Sequence, residues 1–69
     1  MNDKPLYDVG MTIKYFDTET GVLHELEIWK VEIENEILYC NEYDGEHICA
    51  EWEIPIKSYI YQLTSGMLN

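Results

Sequence analysis

The sequence predicts a small, mostly β protein: an antiparallel meander of four to five strands that closes into a barrel. Apolar and polar residues alternate at a period of two along most of the 69 residues, which is typical of half-buried strands. Turn-forming residues cluster at 17–21 and 44–45, between the alternating stretches. The chain is too short for two domains, so we expect residues 1–69 to form a single domain.

The first two strands are predicted to form a hairpin. The first covers 11–16, and Asp17–Gly21 makes the turn, with its glycine in a left-handed conformation. This hairpin places Ile13 opposite Leu26. In the second strand the apolar parity switches at Ile28-Trp29, which predicts a β-bulge or sharp bend. Beyond the switch, the residues predicted to face the core are Trp29, Val31 and Ile33.

The third and fourth strands are predicted to form a second hairpin. After a three-residue turn at 34–36, the core-facing residues of the third strand would be Ile37, Tyr39, Asn41 and Tyr43. Asp44-Gly45 is a strong signal for a two-residue turn. The fourth strand runs to Pro55, and its core-facing residues would be Ile48, Ala50, Trp52 and Ile54. In this register Cys40 lies opposite Cys49, and mild oxidation is expected to crosslink them.

The tail after Pro55 fits two structures. Helical spacing relates four apolar residues, and Gly66 is a stop signal for a helix; the four are Ile56, Tyr59, Ile60 and Leu63. The β-branched and aromatic content equally suits a short turn and a fifth strand. We favour the fifth strand and keep a short C-terminal helix as the alternative.

The chain is strongly acidic, with four Lys, no Arg and fourteen Asp plus Glu, for a net charge of −10. Ten of the acids lie between Glu25 and Glu53, together with one base, Lys30. A nucleic-acid binder needs a basic patch, so this charge excludes direct nucleic-acid binding and favours a cationic partner. No apolar run approaches the roughly 18 residues of a membrane span. Because segment 1–5 also lacks a signal-peptide pattern, we expect a cytoplasmic protein with no membrane partner.

The acids are regularly spaced. Glu25/Glu27, Glu32/Glu34 and Glu51/Glu53 are each related as i and i+2 on predicted strands. Same-face neighbours on a strand lie about 6.6–6.8 Å apart, close to the separation of successive phosphates along a nucleic-acid strand. The predicted registers put an apolar anchor, Leu38, between Glu32 and Glu51. We therefore predict a surface that binds the basic surface of a nucleic-acid-binding protein, made of Glu25, Glu27, Glu32, Glu34, Leu38, Glu51 and Glu53.

In size and charge the chain resembles small acidic proteins of phages and mobile elements, which inhibit nucleic-acid enzymes by filling their basic channels. The resemblance implies an inhibitor that mimics DNA, such as an anti-defence (anti-CRISPR-like) or host-takeover factor. We expect no enzymatic activity, because the sequence has no nucleophile elbow, phosphate loop or metal-protease motif.

Short segments at the two ends resemble the Src-homology-3 family. Pro5-Leu6-Tyr7-Asp8 is similar to its opening Ala-Leu-Tyr-Asp, and Trp52-Glu53-Ile54-Pro55 with Tyr59-Ile60 is similar to its closing Ile-Pro-x-Asn-Tyr-Val. The resemblance implies an SH3-like barrel and an alternative function, an adaptor whose peptide groove is lined by Tyr7, Pro55 and Tyr59. The chain departs from the family at Ile56-Lys57-Ser58, which lengthens the closing segment, and at Ile37-Leu38-Tyr39, where the family has tryptophan.

A further alternative is a metal or redox module that uses Cys40, His47 and Cys49, with His24 as an additional ligand. Structural zinc sites use tight Cys-x-x-Cys or His-x₃₋₅-His pairs, and the Cys-x₆-His-x-Cys spacing matches neither. Two reduced thiols are the simpler interpretation. We therefore predict no metal and no cofactor.

Overall fold

In a computed structural model, which describes residues 6–66, four β-strands are followed by one helix. These elements are β1 (Thr12–Asp17), β2 (Val22–Glu32), β3 (Ile37–Asp44), β4 (His47–Pro55) and α1 (Ile56–Ser65). The strands pair in chain order as one antiparallel sheet, so β1 and β4 are its edges. The predicted mostly β class and four-stranded antiparallel meander are confirmed. Segment 1–5, including the Pro5 of the family resemblance, lies outside the described residues.

The β1–β2 hairpin has the predicted register. Ile13 pairs with Leu26, and both side chains are buried. The turn ends at Gly21, whose φ of 74° is left-handed and whose N–H donates to the carbonyl of Asp17 at 2.8 Å. Further along β2, the pairing with β3 shifts between Ile28 and Lys30 and leaves Trp29 as the extra residue. The predicted β-bulge is therefore confirmed.

The predicted side-chain parity of β3 is wrong. The β2–β3 turn also includes Ile33, whose carbonyl accepts a hydrogen bond from the N–H of Glu36 at 3.2 Å. Glu36 adopts a φ of 56° in this turn, although it is not a glycine. One extra loop residue moves every side chain of the following strand to the opposite face. As a result Leu38 and Cys40 are fully buried, and Ile37 and Tyr39 lie on the other face.

Two apolar residues of the β2 end are also placed differently from the prediction. Trp29 is 47% exposed and Ile33 is 67% exposed, whereas the sequence pattern placed both of them in the core. Trp29 is the unpaired residue of the bulge, and Ile33 belongs to the turn. Val31 alone of the predicted set packs against the core.

The predicted register of the β3–β4 hairpin is wrong as well. Asp44 pairs with His47, so the two-residue turn is Gly45-Glu46 instead of Asp44-Gly45. The pairing then shifts between Glu42 and Tyr43 and leaves Cys49 as an unpaired bulge residue. Cys40 lies opposite Trp52, so the predicted Cys40–Cys49 pair does not form. Trp52 and Ile54 face the core side as predicted, but Ile48 is exposed.

The tail is the short helix α1, and the favoured fifth strand is therefore wrong. Pro55 precedes the helix, and the N–H of Ile56 donates to the carbonyl of Glu36 at 2.9 Å. The helix ends at Gly66, whose φ of 81° forms a left-handed C-cap. We call the sheet face packed against α1 the inner face and the opposite face the outer face. The core lies between the inner face and α1, and it consists of Ile13, Leu26, Ile28, Leu38, Cys40, Ile54, Ile56 and Tyr59.

Gln62 of α1 covers part of the β1 edge. Its side-chain carbonyl accepts a hydrogen bond from the N–H of Phe16 at 2.9 Å, and its amide group donates to the carbonyl of Phe16 at 2.8 Å. The amide thus makes the two hydrogen bonds that a neighbouring strand would make. Because Gln62 is only 5% exposed, water cannot easily replace it.

We expect Gln62→Leu to lower the free energy of unfolding by about 1–3 kcal/mol, because both backbone groups of Phe16 would lose their partner. Thr64→Ala, on the exposed part of the same helix, is the control and should change it by less than about 0.5 kcal/mol. Urea titration of the three proteins measures the difference. Equal stability of the two variants would contradict the role assigned to Gln62.

The two cysteines should differ in reactivity. Cys49 is exposed and Cys40 is buried, so an alkylating reagent should modify one thiol in the folded protein and both in urea. Peptide mapping by mass spectrometry should place the rapid modification at Cys49. Mild oxidation should leave no intramolecular disulfide, and recovery of a Cys40–Cys49 crosslink would restore the register predicted from sequence.

Stability should fall at alkaline pH. Burial raises the pKa of Cys40 from 9.0 to about 11, so the folded state favours the neutral thiol. This contribution is complete below pH 9 and is lost as the pH rises through about 11. Burial also raises the pKa of Tyr59, which adds to the loss in the same direction. Urea titrations across this range should show a smaller decline for Cys40→Ala than for Cys49→Ala, and identical declines would contradict the assignment.

Candidate functional site

The outer face of the sheet presents two lines of carboxylates. One line follows β2 and the other follows β4, and β3 lies between them. Alternation along the strands puts five glutamates on this face; they are Glu25, Glu27, Glu32, Glu51 and Glu53. Two lysines share the face, Lys14 opposite Glu25 and Lys30 beside the bulge. Negative charge therefore predominates on the outer face.

Tyrosines on β3 hold two carboxylates of the neighbouring line. The Tyr39 hydroxyl donates to Glu32 at 3.0 Å, and the Tyr43 hydroxyl donates to Glu27 at 3.2 Å. The amide of Asn35 also donates to Glu32. The hydrogen bond to Glu32 is the main cause that raises the pKa of Tyr39, so the hydroxyl remains protonated and continues to donate. These hydrogen bonds limit the rotamers of Glu27 and Glu32.

The registers set the rows of the outer face. Glu27, Asn41 and Glu51 form one row across β2, β3 and β4. Lys30, Tyr39 and Glu53 form the next. Each of these two rows ends on a carboxylate of β4 and has a polar or aromatic β3 residue at its centre.

Most of the predicted partner-binding residues lie on one surface. Five of the six predicted glutamates share the outer face, and Glu34 lies at the end of the sheet in the exposed β2–β3 turn. Leu38 is the exception, because it is fully buried on the inner face, where it pairs with Ile54. The sequence pattern predicted Leu38 as the apolar anchor for a partner, and its burial shows that this prediction is wrong. The apolar residues exposed on or beside the outer face include Trp29, Tyr43 and Ile48.

Two of the three residues of the alternative peptide groove belong to the core or pack against it. Tyr59 is buried in the core, and its hydroxyl donates to the carbonyl of Leu6 at 3.3 Å. Tyr7 packs against the same core. Pro55 is exposed at the end of β4 and lies opposite Ile37. Tyr59 in particular has no ring surface free to stack on a peptide.

The cysteines and histidines of the alternative metal module are also apart. Cys40 is buried on the inner face, whereas His47 and Cys49 are exposed near the β3–β4 turn. Within residues 6–66, no group of three or more His, Cys, Asp and Glu residues is arranged to hold a metal ion.

His24, the additional ligand in that hypothesis, belongs to a polar cluster on the inner face. Its Nδ1 lies 2.7 Å from Oε2 of Glu42, and the indole N–H of Trp52 donates to the other oxygen of Glu42 at 3.1 Å. The His24 and Trp52 rings are 4.6 Å apart. The hydrogen bond from His24 is the main cause that holds the pKa of Glu42 below its ordinary value. The cluster joins three strands, because His24 belongs to β2, Glu42 to β3 and Trp52 to β4.

The cluster was not predicted from the sequence, because the predicted parity of β3 put Glu42 on the outer face. The predicted parity of β3 separated Glu42 from Trp52, and the observed parity brings them together. The sequence did contain a signal for the cluster: Glu42 has the same parity on β3 as the apolar residues Leu38 and Cys40. A glutamate on an apolar face needs polar partners from neighbouring strands.

No helix within residues 6–66 has both the length and the apolar run needed to cross a membrane. The chain matches no known protein family, no curated protein and no solved structure.

Proposed function

We propose that this protein is a non-enzymatic binding protein whose outer face occupies the basic surface of a partner protein. The observation that carries the proposal is the pair of carboxylate lines on β2 and β4, which share one open face of a sheet. The partner would be a nucleic-acid-binding protein in the cytoplasm. By filling its basic channel in place of nucleic acid, the protein would act as an inhibitor, of the kind used in anti-defence or host takeover.

The spacing of the carboxylates supports nucleic-acid mimicry. Glu25 and Glu27 are same-face neighbours on β2, and Glu51 and Glu53 are same-face neighbours on β4, so each pair is about 6.6–6.8 Å apart along its strand. The two lines are separated by β3, hence by two strand spacings, or roughly 9.6 Å. A cationic channel that follows regularly spaced phosphates would meet a comparable array of negative charge.

The rigidity of the face supports the same function. The hydrogen bonds from Tyr39 and Tyr43 orient Glu32 and Glu27 before a partner arrives. Side chains that are already ordered lose less conformational entropy on binding. Isolated exposed ion pairs contribute about 1 kcal/mol or less, whereas close pairs in a partly desolvated interface can contribute several. A prearranged acidic face is therefore better suited to tight binding than a flexible acidic tail.

The net charge supports fast association with such a partner. A charge of −10 on so small a chain repels other acidic molecules and attracts basic ones over several ångströms. The same attraction is screened by salt, so the complex should weaken as ionic strength rises.

The proposal is tested with one glutamate from each line. Glu25→Lys with Glu51→Lys should weaken binding at least tenfold, because each lysine would repel the basic surface of the partner. The matched control is Glu19→Lys with Glu46→Lys, which makes the same change in net charge in the two turns at one end of the sheet. The control should retain more of the affinity. Both variants reduce the net negative charge, but Glu25→Lys also sets a second lysine opposite Lys14, so the free energy of unfolding of each variant is measured beside its affinity.

The measurement begins with capture of partners from host lysate, followed by binding titrations of the purified partner at two salt concentrations. The partner's own nucleic acid is then added as a competitor. Equal binding by the wild type and the Glu25→Lys/Glu51→Lys variant would refute the proposal. A stable ternary complex with nucleic acid would refute mimicry in particular.

A further inference from the structure

The β2 bulge places an aromatic residue beside the acidic outer face. Trp29 is the extra residue where the pairing with β3 shifts, and bulges commonly redirect a side chain near a functional site. Its ring lies 5.8 Å from the ring of Tyr39, with 48° between the ring planes. Trp29 is 47% exposed, so nearly half of a large apolar surface remains in water. Tryptophan and tyrosine in this setting are the residues most enriched at the centres of protein interfaces.

The two rings border a small cleft in the outer face. The cleft has a volume of about 300 Å³ and is lined by Trp29, Tyr39, Glu51, Trp52 and Glu53. Sites for complete small-molecule ligands begin at about this volume and extend to about 1,000 Å³. The cleft is therefore of a size to receive one side chain from a protein bound over the face.

The lining of the cleft selects a cation. Aromatic ring faces attract cationic groups. The ring of Tyr39 already has the Nζ of Lys30 at 5.3 Å from its centroid, so the exposed ring of Trp29 is the one available to a cation from a partner. Glu51 and Glu53 contribute carboxylates from β4. The ion pairs found within residues 6–66 involve Glu42 and Glu36, so both cleft carboxylates are free to accept hydrogen bonds from a partner.

We propose that this cleft is the seat of an arginine side chain of the partner protein, with its guanidinium stacked on Trp29 and hydrogen-bonded to Glu51 or Glu53. The proposal rests on the proposed function and names the residue that anchors the partner. Arginine fits better than lysine because its guanidinium is planar, weakly hydrated and able to bind a carboxylate through two N–H groups. A second copy of this chain cannot supply the group, since the sequence contains no arginine.

The experiment compares two synthetic peptides on the full chain at low salt. One peptide alternates Arg and Gly, and the other has Lys in place of every Arg. The wild type should bind the Arg peptide about tenfold more tightly than the Lys peptide, a difference within the range of a cation–π contact in a partly desolvated site. In Trp29→Ala this preference should fall to about twofold or less, while the affinity for the Lys peptide changes little.

Two controls separate the role of the cleft from a general effect. Leu23→Ala removes another exposed apolar side chain from β2, at the far end of the strand from the cleft, and should preserve the tenfold preference. In NMR spectra of the wild type, the indole N–H signal of Trp29 should shift on addition of the Arg peptide. This measurement needs no variant and so does not depend on the stability of Trp29→Ala.

The possible failures are distinguishable. If the wild type binds both peptides with equal affinity and Trp29 does not shift, the arginine seat is refuted while the acidic binding face stands. A preference that persists in Trp29→Ala also refutes the seat. If neither peptide binds at low salt, the proposed function fails together with the inference.

Discussion

The packing of one helix on one face of a single sheet is the constraint on which the rest of this structure depends. The chain has one four-stranded sheet and the ten-residue helix α1 to cover it, so only one face can be shielded from water. Leu26, Ile28, Leu38 and Ile54 are buried beneath Ile56 and Tyr59 of the helix. Burial of each such side chain contributes roughly 1.5–3 kcal/mol. The parity of every strand is therefore set by which of its faces can supply residues to this core.

The two bulges change which side chains of β2 and β4 reach that core. In β2 the bulge at Trp29 lets Ile28 and Val31 both contribute to the core despite their odd spacing. In β4 the bulge at Cys49 acts in the opposite sense: Trp52 and Ile54 face inward, whereas Ile48, on the other side of the bulge, is exposed. The residues left over at the bulges are directed toward solvent, where a thiol and an indole become available to other molecules. Interior packing thus produces the exposed features from which function is inferred.

The outer face can be acidic because it is open. Carboxylates in water repel one another only weakly, whereas the same charges beneath a second layer would incur a large desolvation cost. Tyr39 and Tyr43 then give parts of this face a fixed geometry through their bonds to Glu32 and Glu27. In the proposed complex, long-range attraction by the charges would speed and orient the encounter, and short-range contact at Trp29 would favour one side chain over others.

The sequence by itself determined the local features: the alternation that makes strands, the turn at Asp17–Gly21, the bulge after Ile28 and the acidity of β2 and β4. It did not determine the parity of β3, because both faces of that strand carry apolar residues, Leu38 and Cys40 on one and Ile37 and Tyr39 on the other. Nor did it distinguish a helix from a strand in the tail, where the same apolar residues suit either. Tertiary structure decided both, since the sheet needed a cover that α1 supplies, and a four-residue turn ending at Glu36 was needed to turn Leu38 toward it. A change of one residue in loop length leaves local propensities almost unaltered but exchanges the two faces of the strand, so only the packing of the whole chain could select between them.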